Sequence, residues 1–297
     1  MLVFEESLGS SIIAQEALKA GVEAHPIFKA VSPKWHGMRR LHQRTGLPFW
    51  HKWLDLTAAE IRQFEKIIIF DSVYSMDLAR WCRNSHPQGR IILWHWNPAQ
   101  EGMREEALPP GVEGWTFDPG DSQTYGLILN TQFYFSSLGH TSKNKESDIV
   151  FIGRDKGRAE YLAELKTIMT QMGLSTIFNI VGDGQAPDEG VESRYIPYRT
   201  AIDVSARSRA ILDIVQTGQR GLTLRAMEAL YLNVKLVTNN PEVLTDSKYP
   251  DENVFLLNAR DIHELPHFLA RPVIPASAST LKYYEFHQWL RRFDPDS

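Results

Sequence analysis

The stretch AILDIVQTGQRGLTLRAMEALYLNVKLVTNN, Ala210 to Asn240, decides the fold. Ile211 to Val215 is an apolar run with the character of a buried strand. Gln216 to Gly221 is polar and carries glycine, as a loop does. Leu222 to Leu232 has apolar residues at helical spacing, and Val234 to Val237 is again strand-like. Strand, glycine-bearing loop, helix and strand make a βαβ unit. Its loop brings backbone N–H groups and a helix N-terminus to one point, an arrangement that suits phosphate. Gly221 and Thr223 lie at that point, and Arg220 and Arg225 add positive charge there. Glu228 follows on the same helix. It is either a carboxylate placed to accept ribose hydroxyls or an exposed helix glutamate.

Moving towards the N-terminus, FIGRDKGR (Phe151 to Arg158) is a second strand end. Gly153 and Gly157 permit close backbone approach, and Arg154, Lys156 and Arg158 put three cations within five residues. Cations at the start of a helix are unfavourable unless an anion joins them. A diphosphate would do so, and ligands of open α/β sheets sit at the carboxyl ends of strands. The alternative is a solvated helix start. No Gly-Lys-Ser/Thr follows, so this is not a Walker A loop. Gly182-Asp183-Gly184 comes after another strand candidate, Thr176 to Val181, and is a weak pocket-forming motif. Tyr195 to Arg199 (YIPYR), with Tyr198, is either a wall for a nucleotide base or a packed loop.

The same alternation extends over the whole chain. Leu2 to Phe4, Ala24 to Phe28, Lys66 to Phe70, Arg90 to Trp94 and Gly114 to Phe117 are strand candidates in the first half. Ser10 to Ala20 and Tyr74 to Asn84 are helices, and Pro26 weakens the second strand. The runs KIIIF and RIILW are apolar throughout, which predicts a sheet covered on both faces. Ser136 to Ser147 (SSLGHTSKNKES) has almost no apolar residue and is expected to link two domains. Asp148 to Ile152 restarts the strand pattern, with a turn at Gly153 and a helix over Arg158 to Met172. Val254 to Leu257 is a further strand and Ala278 to Arg292 a last helix. The expectation is an α/β protein of two Rossmann-like, doubly wound domains, residues 1–140 and 148–297, with the last helix free to pack back on the first.

In the first half the candidate chemistry lies at strand ends. His95, in Trp94-His95-Trp96-Asn97-Pro98, is a candidate general base by virtue of its near-neutral titration, or a packing residue between two tryptophans. Asp71 ends KIIIF and is a candidate catalytic carboxylate or, with Ser72, a helix cap. Of Asp118 and Asp121, one is expected to cap the turn over Ser122 to Tyr125. The segment Glu5-Glu6 to Ser11 follows the first strand and is a candidate lining for an acceptor cleft. No HExxH, paired cysteine or Asp-x-Asp after a strand is present, so neither a metal nor a cofactor is expected.

Composition narrows the class. The 297 residues, 43% hydrophobic and 11% aromatic, suit a globular protein with room for two cores. A formal charge of −4 gives no reason to expect nucleic acid as a partner. The one cysteine, Cys82, cannot pair within the chain, which fits a reducing compartment. No apolar run approaches the ~20 residues that span a bilayer. The opening MLVFEESLGSS has no basic region followed by an apolar one, so a cytoplasmic location is expected. Against this balance stands KWHGMRRLHQRTGLPFWHKW, Lys34 to Trp53, with five Lys or Arg and three tryptophans. It is either a peripheral contact with an anionic membrane or a solvated helix whose tryptophans pack inward.

Thr223, Arg225 and Glu228-Ala229-Leu230 resemble the donor-binding segment of GT-B glycosyltransferases. Together with WHWNP, TFDPGDSQTYGL and FIGRDKGR, they are similar to bacterial glycosyltransferase-like proteins of lipopolysaccharide and capsule biosynthesis, loosely the CgeB-like group. The likeness runs from about Lys66 to about Asn240 and is best in the donor half. It implies a nucleotide-diphosphate sugar as donor and a glycan or lipid-linked acceptor, with ribose on Glu228. Retaining members of the glycogen-synthase type carry two glutamates separated by seven residues. The first of those positions is Arg220 here, so the resemblance leaves the stereochemistry open. A sugar-nucleotide epimerase and a non-catalytic GT-B-like subunit share the implied fold.

Overall fold

The computed structural model describes residues 1–5, 10–30, 32–44, 49–98, 108–182 and 196–294. The chain divides into two compact units, Met1–Leu129 and Asn130–Ser297.

In the first unit β1 (Leu2–Phe4), β2 (Ala24–Pro26), β3 (Lys66–Phe70), β4 (Arg90–His95), β5 (Val112–Thr116) and β6 (Ile128–Leu129) form one sheet in the order β2-β1-β3-β4-β5-β6. Every pairing is parallel. Helices α1 (Ser10–Lys19), α2 (Pro33–Arg44), α3 (Ala58–Ile61), α4 (Ser75–Ser85) and α5 (Pro119–Tyr125) lie between the strands in sequence. The apolar runs KIIIF and RIILW are buried from their second residue onward, as strands covered on both faces must be. Pro26, which can donate no ladder hydrogen bond, sits in the edge strand β2. Ile67, Ile69, Ile91, Leu93, Leu78 and Cys82 are central to the core beneath α4.

In the second unit β7 (Ser147–Arg154), β8 (Thr176–Val181), β9 (Ser208–Asp213), β10 (Lys235–Thr238) and β11 (Val254–Leu256) form a parallel sheet in the order β11-β10-β9-β7-β8. The helices are α6 (Ala159–Gln171), α7 (Tyr198–Ala206), α8 (Leu224–Leu232), α9 (Leu265–Ala270), α10 (Ala278–Tyr284) and α11 (Phe286–Arg291). Ile149, Phe151, Leu162, Leu165, Leu212 and Phe255 fill its core.

Both units obey one rule of strand order. The first strand lies inside the sheet, the second pairs on one side of it, and the third and later strands extend on the other. The order therefore reverses between β1 and β3, and again between β7 and β9. The doubly wound α/β class expected from the sequence is the class observed, once in each unit. At such a reversal successive crossovers leave on opposite faces and open a crevice at the carboxyl ends of the two central strands.

Several boundaries differ from expectation. The division falls at Leu129/Asn130, and Ser136 to Ser147 lies within the second unit. Tyr134 explains the attachment: its N–H donates to Tyr284 O at 2.9 Å, and its carbonyl accepts from Phe286 N at 3.0 Å. Arg292 donates to Asn130 Oδ1 at 2.8 Å and to Thr131 Oγ1 at 2.6 Å, and Phe133 packs on Trp289 with ring centroids 4.3 Å apart. The expected last helix is two, α10 and α11, broken where Glu285 takes an extended conformation to pair with Tyr134. Both belong to the second unit. The strand β7 continues through Gly153 to Arg154, so the turn comes at Lys156 and Gly157, both with positive φ. Strand β6 was not foreseen; its two residues are exposed and have no apolar alternation to betray them.

Candidate functional site

The carboxyl ends of β7 and β9 bring together most of the side chains singled out in the donor half. Asp213 ends β9 and is 1% exposed. Its Oδ2 accepts a 2.7 Å hydrogen bond from Thr223 Oγ1, and its Oδ1 lies 3.6 Å from the Arg225 guanidinium. Thr223 is the N-cap of α8, and its hydroxyl oxygen also accepts from Ala226 N at 3.1 Å. One hydroxyl thus ties the first turn of the helix to the end of the strand. Burial pushes the Asp213 carboxyl above the usual range, while Arg225 and Thr223 pull the other way.

Arg225 reaches across to β7. Its Nη2 donates to Ile152 O at 3.0 Å, and its guanidinium lies 4.8 Å from the centroid of the Phe151 ring. It passes directly over Gly153, where a β-carbon would collide with it. Glycine at this position serves the arginine's route and leaves the strand regular. One residue therefore links the two central strands, and its charge is balanced by Asp213.

Glu228 stands one turn further along α8, three residues from Arg225, on the same helical face. Tyr198, the first residue of α7, donates to Glu228 Oε1 at 2.7 Å. Glu228 is half-buried, and burial raises its carboxyl to about 7; the Tyr198 bond and Arg225 counteract in part, and Asp213 adds to the rise. The expected pair, Tyr198 and Glu228, is thus joined directly. Glu228 is not the exposed helix glutamate of the alternative reading.

The three cations of the β7 turn have different settings. Arg158 is fastened to the fold: its guanidinium donates to Asp155 O at 2.9 Å, to Arg154 O at 2.8 Å and to Ile214 O. It locks the turn after β7 to the chain leaving β9. Arg154 and Lys156 are exposed. Gly182 follows β8 at the outer strand of the sheet, and a β-carbon there would meet nothing within 4 Å. Asp183, Gly184 and Tyr195 lie outside the described residues. Arg220 pairs with Glu242 at 2.8 Å, while the Gly221 carbonyl accepts from Asn240 Nδ2 at 3.3 Å.

Sequence reasoning missed Asp213, Asn239 and Asn240. Asn239 Oδ1 accepts from Val215 N at 2.8 Å, and Asn240 holds the carbonyls of Arg220 and Gly221, so both asparagines shape the loop before α8. A carboxylate inside an apolar run and two amides directly after a strand were the available signals.

In the first unit His95 ends β4 and is fully buried, with its Nδ1 3.8 Å from Asp71 Oδ2. Among the described residues neither ring nitrogen has a hydrogen-bond partner. Asp71 does not cap the next helix. Its Oδ1 accepts from Trp96 N at 3.2 Å and its carbonyl from Trp96 Nε1 at 3.3 Å, which fixes the chain leaving β4. Glu5, past β1, is drawn upward by partial burial, against the pull of Arg39 and Ser72. Glu6 to Gly9 lie outside the described residues. Asp118 caps α5 as expected, accepting from Gly120 N at 2.7 Å. Among the described residues no three His, Cys, Asp or Glu side chains cluster as metal ligands do.

No protein-family model matches this chain, and no curated protein does. Among solved structures, the chain is similar to Methanocaldococcus jannaschii UDP-GlcNAc 2-epimerase in complex with UDP-GlcNAc and UDP. The identity is 11%, the match covers 100% of this chain and 99% of the other, and the TM-score is 0.45. It is also similar to the spinosyn forosaminyltransferase SpnP, at 10% identity over 99% of this chain and 87% of the other, with a TM-score of 0.36. Likeness at this level identifies neither substrate nor chemistry.

Proposed function

We propose that the protein is a glycosyltransferase of GT-B type that takes a nucleotide-diphosphate sugar as donor. The acceptor is a glycan or lipid-linked glycan of cell-surface polysaccharide synthesis, and the work is done in the cytoplasm at the inner face of the membrane. One observation carries the reading: Asp213, Thr223, Arg225, Glu228 and Tyr198 converge where the strand order reverses, beside a helix N-terminus. That is where a doubly wound sheet receives a nucleotide. The diphosphate would lie against the first turn of α8 and the β7 turn, with Lys156 and Arg154 lending charge. The ribose would meet Glu228. Positive groups and helix N-termini so placed stabilise a departing nucleoside diphosphate, the electrostatic share of such catalysis. Arg225 would act mainly through position, since its charge is already answered by Asp213.

A binding subunit without transferase activity is the second reading. The full burial of His95 favours it, because a base must reach the acceptor hydroxyl. Calorimetry with nucleoside diphosphates, followed by transfer assays across common sugar nucleotides, separates the two. Binding with turnover supports the transferase, and binding without transfer or hydrolysis supports the subunit. Turnover of the nucleotide sugar with no acceptor present points to an epimerase. No binding of any nucleoside diphosphate removes all three.

A further inference from the structure

Two carboxylates, Asp213 and Glu228, share the neighbourhood of one guanidinium, that of Arg225. Asp213 has it: Arg225 Nη1 stands 3.6 Å from Asp213 Oδ1, and Nη2 donates to Ile152 O at 3.0 Å. Among the described residues no Lys, Arg or His forms an ion pair with Glu228. Its polar partner is Tyr198, whose hydroxyl donates to Oε1 at 2.7 Å. Burial pushes that phenol well above its ordinary range, so it keeps its proton and stays a donor. One phenol answers one carboxyl oxygen. Among the described residues nothing donates to Oε2. The Tyr134 hydroxyl, near Tyr198 and Glu228, is also kept protonated by burial, and Asp203 on α7 faces His140 at 3.3 Å.

The nucleotide assigned to this crevice is itself an anion. An ionised Glu228 would set a further negative charge beside its diphosphate, in a half-buried place where like charges repel more than in water. A carboxylic acid adds no charge. It leaves Oε1 as the acceptor for Tyr198 and makes Oε2–H a donor, which a ribose oxygen can accept. Two carboxylates beside one cation are thus relieved by one proton, and an arriving diphosphate strengthens the demand for it.

We propose that Glu228 binds the nucleotide as a neutral carboxylic acid, accepting from Tyr198 through Oε1 and donating through Oε2 to a ribose oxygen, so that a proton enters the site with the ligand. The proton comes from solvent on binding and returns to it on release. This rests on the nucleotide reading of the crevice and deepens it, by fixing the charge state in which the site binds.

The test is calorimetry of the full chain with UDP-glucose, GDP-mannose and ADP-glucose, whose phosphates carry no group that titrates near neutrality. Burial sets Glu228 at about 7 in the free protein. The affinity should therefore fall about tenfold between about pH 6 and about pH 8, as the protonated fraction falls. In buffers of different ionisation enthalpy, on the order of half a proton should be taken up per ligand at about pH 7. Glu228→Gln donates at every pH, so its affinity should not vary over this range. Glu228→Ala has no donor and should bind more weakly than Glu228→Gln at about pH 6. Thermal midpoints show whether each variant is folded, and the proton uptake of the wild type needs no variant. A wild-type affinity that is constant or rises with pH, release of a proton on binding, or a Glu228→Gln variant that keeps the wild-type slope overturns the proposal and leaves the nucleotide reading standing. Binding of none of these ligands at any pH overturns both.

Discussion

Gly153 exists for Arg225: a β-carbon on the glycine would stand where the arginine's guanidinium passes on its way to Ile152 O. Arg225, on α8, thus touches β7 while its guanidinium lies 3.6 Å from Asp213 at the end of β9, and the strand order reverses between those two strands.

Gly153→Ala should therefore force Arg225 off its path and cost about 1–3 kcal/mol of stability, as overpacking does. The cost should shrink in an Arg225→Ala background, because the obstructing group is gone. Urea denaturation of the two single variants and the double variant gives a coupling energy, expected at about 1 kcal/mol or more. Strict additivity would mean that the collision is relieved at no cost.

Asp213→Ala removes the counter-charge of Arg225 and the acceptor of Thr223 together. A buried charge left without its partner makes such changes severe, about 3 kcal/mol. Asp213→Asn keeps an oxygen for Thr223 and should cost less. Equal midpoints for both variants would show that the oxygen accepting from Thr223 contributes nothing.

Glu228 makes stability depend on pH with a definite sign. Its folded value is about 7 and its ordinary value 4.5, so between these the folded state holds a proton that the unfolded state has lost. The contribution is fully present below about pH 4.5 and is lost as pH rises through 7. Glu228→Gln removes this fall, and above pH 7 the variant should gain stability relative to the wild type, on the order of 2 kcal/mol. Thermal melts of the two proteins from pH 4.5 to 8 should diverge steadily. Parallel curves would place the carboxyl in contact with water.

Lys235 gives the opposite sign at the other end of the sheet. It is 1% exposed, donates to Arg271 O at 2.7 Å and to Phe268 O, and burial lowers it from 10.5 to about 8. Between those values the unfolded state binds the extra proton, so stability should rise with pH from about 8 to 10.5. A Lys235→Met variant should lack that rise. An identical alkaline profile for the two would remove the burial argument.

Strand positions were largely legible because continuous burial writes a continuous apolar run, as in KIIIF, RIILW and Ile211 to Val215. What joins Asn130 to Thr131 with Arg292, and Tyr134 with Glu285, is carried by contacts some 150 or more residues apart and leaves no periodic trace. For that reason Ser136 to Ser147 had the composition of a linker while lying inside the second unit. At the candidate site, Gly153, Thr223, Arg225 and Glu228 were visible from spacing and from resemblance. The partnership of Arg225 with Asp213 was not, because a single carboxylate in an apolar run reads as an interruption of the strand. Arg158 shows the converse. Its charge was plain in FIGRDKGR, but only the fold directs that guanidinium to Ile214 O, Arg154 O and Asp155 O.

The most direct measurement is a crystal structure of the protein with a nucleoside diphosphate, paired with calorimetry on Lys156→Ala. The account predicts the diphosphate at the carboxyl ends of β7 and β9, against the first turn of α8, with the ribose hydroxyls on Glu228. Lys156→Ala, a folded variant, should bind about tenfold or more weakly, as loss of one charge-assisted phosphate contact implies. A nucleotide seated on the first unit, or one on the second unit with Glu228 still bonded only to Tyr198 and affinity unchanged in Lys156→Ala, would contradict it.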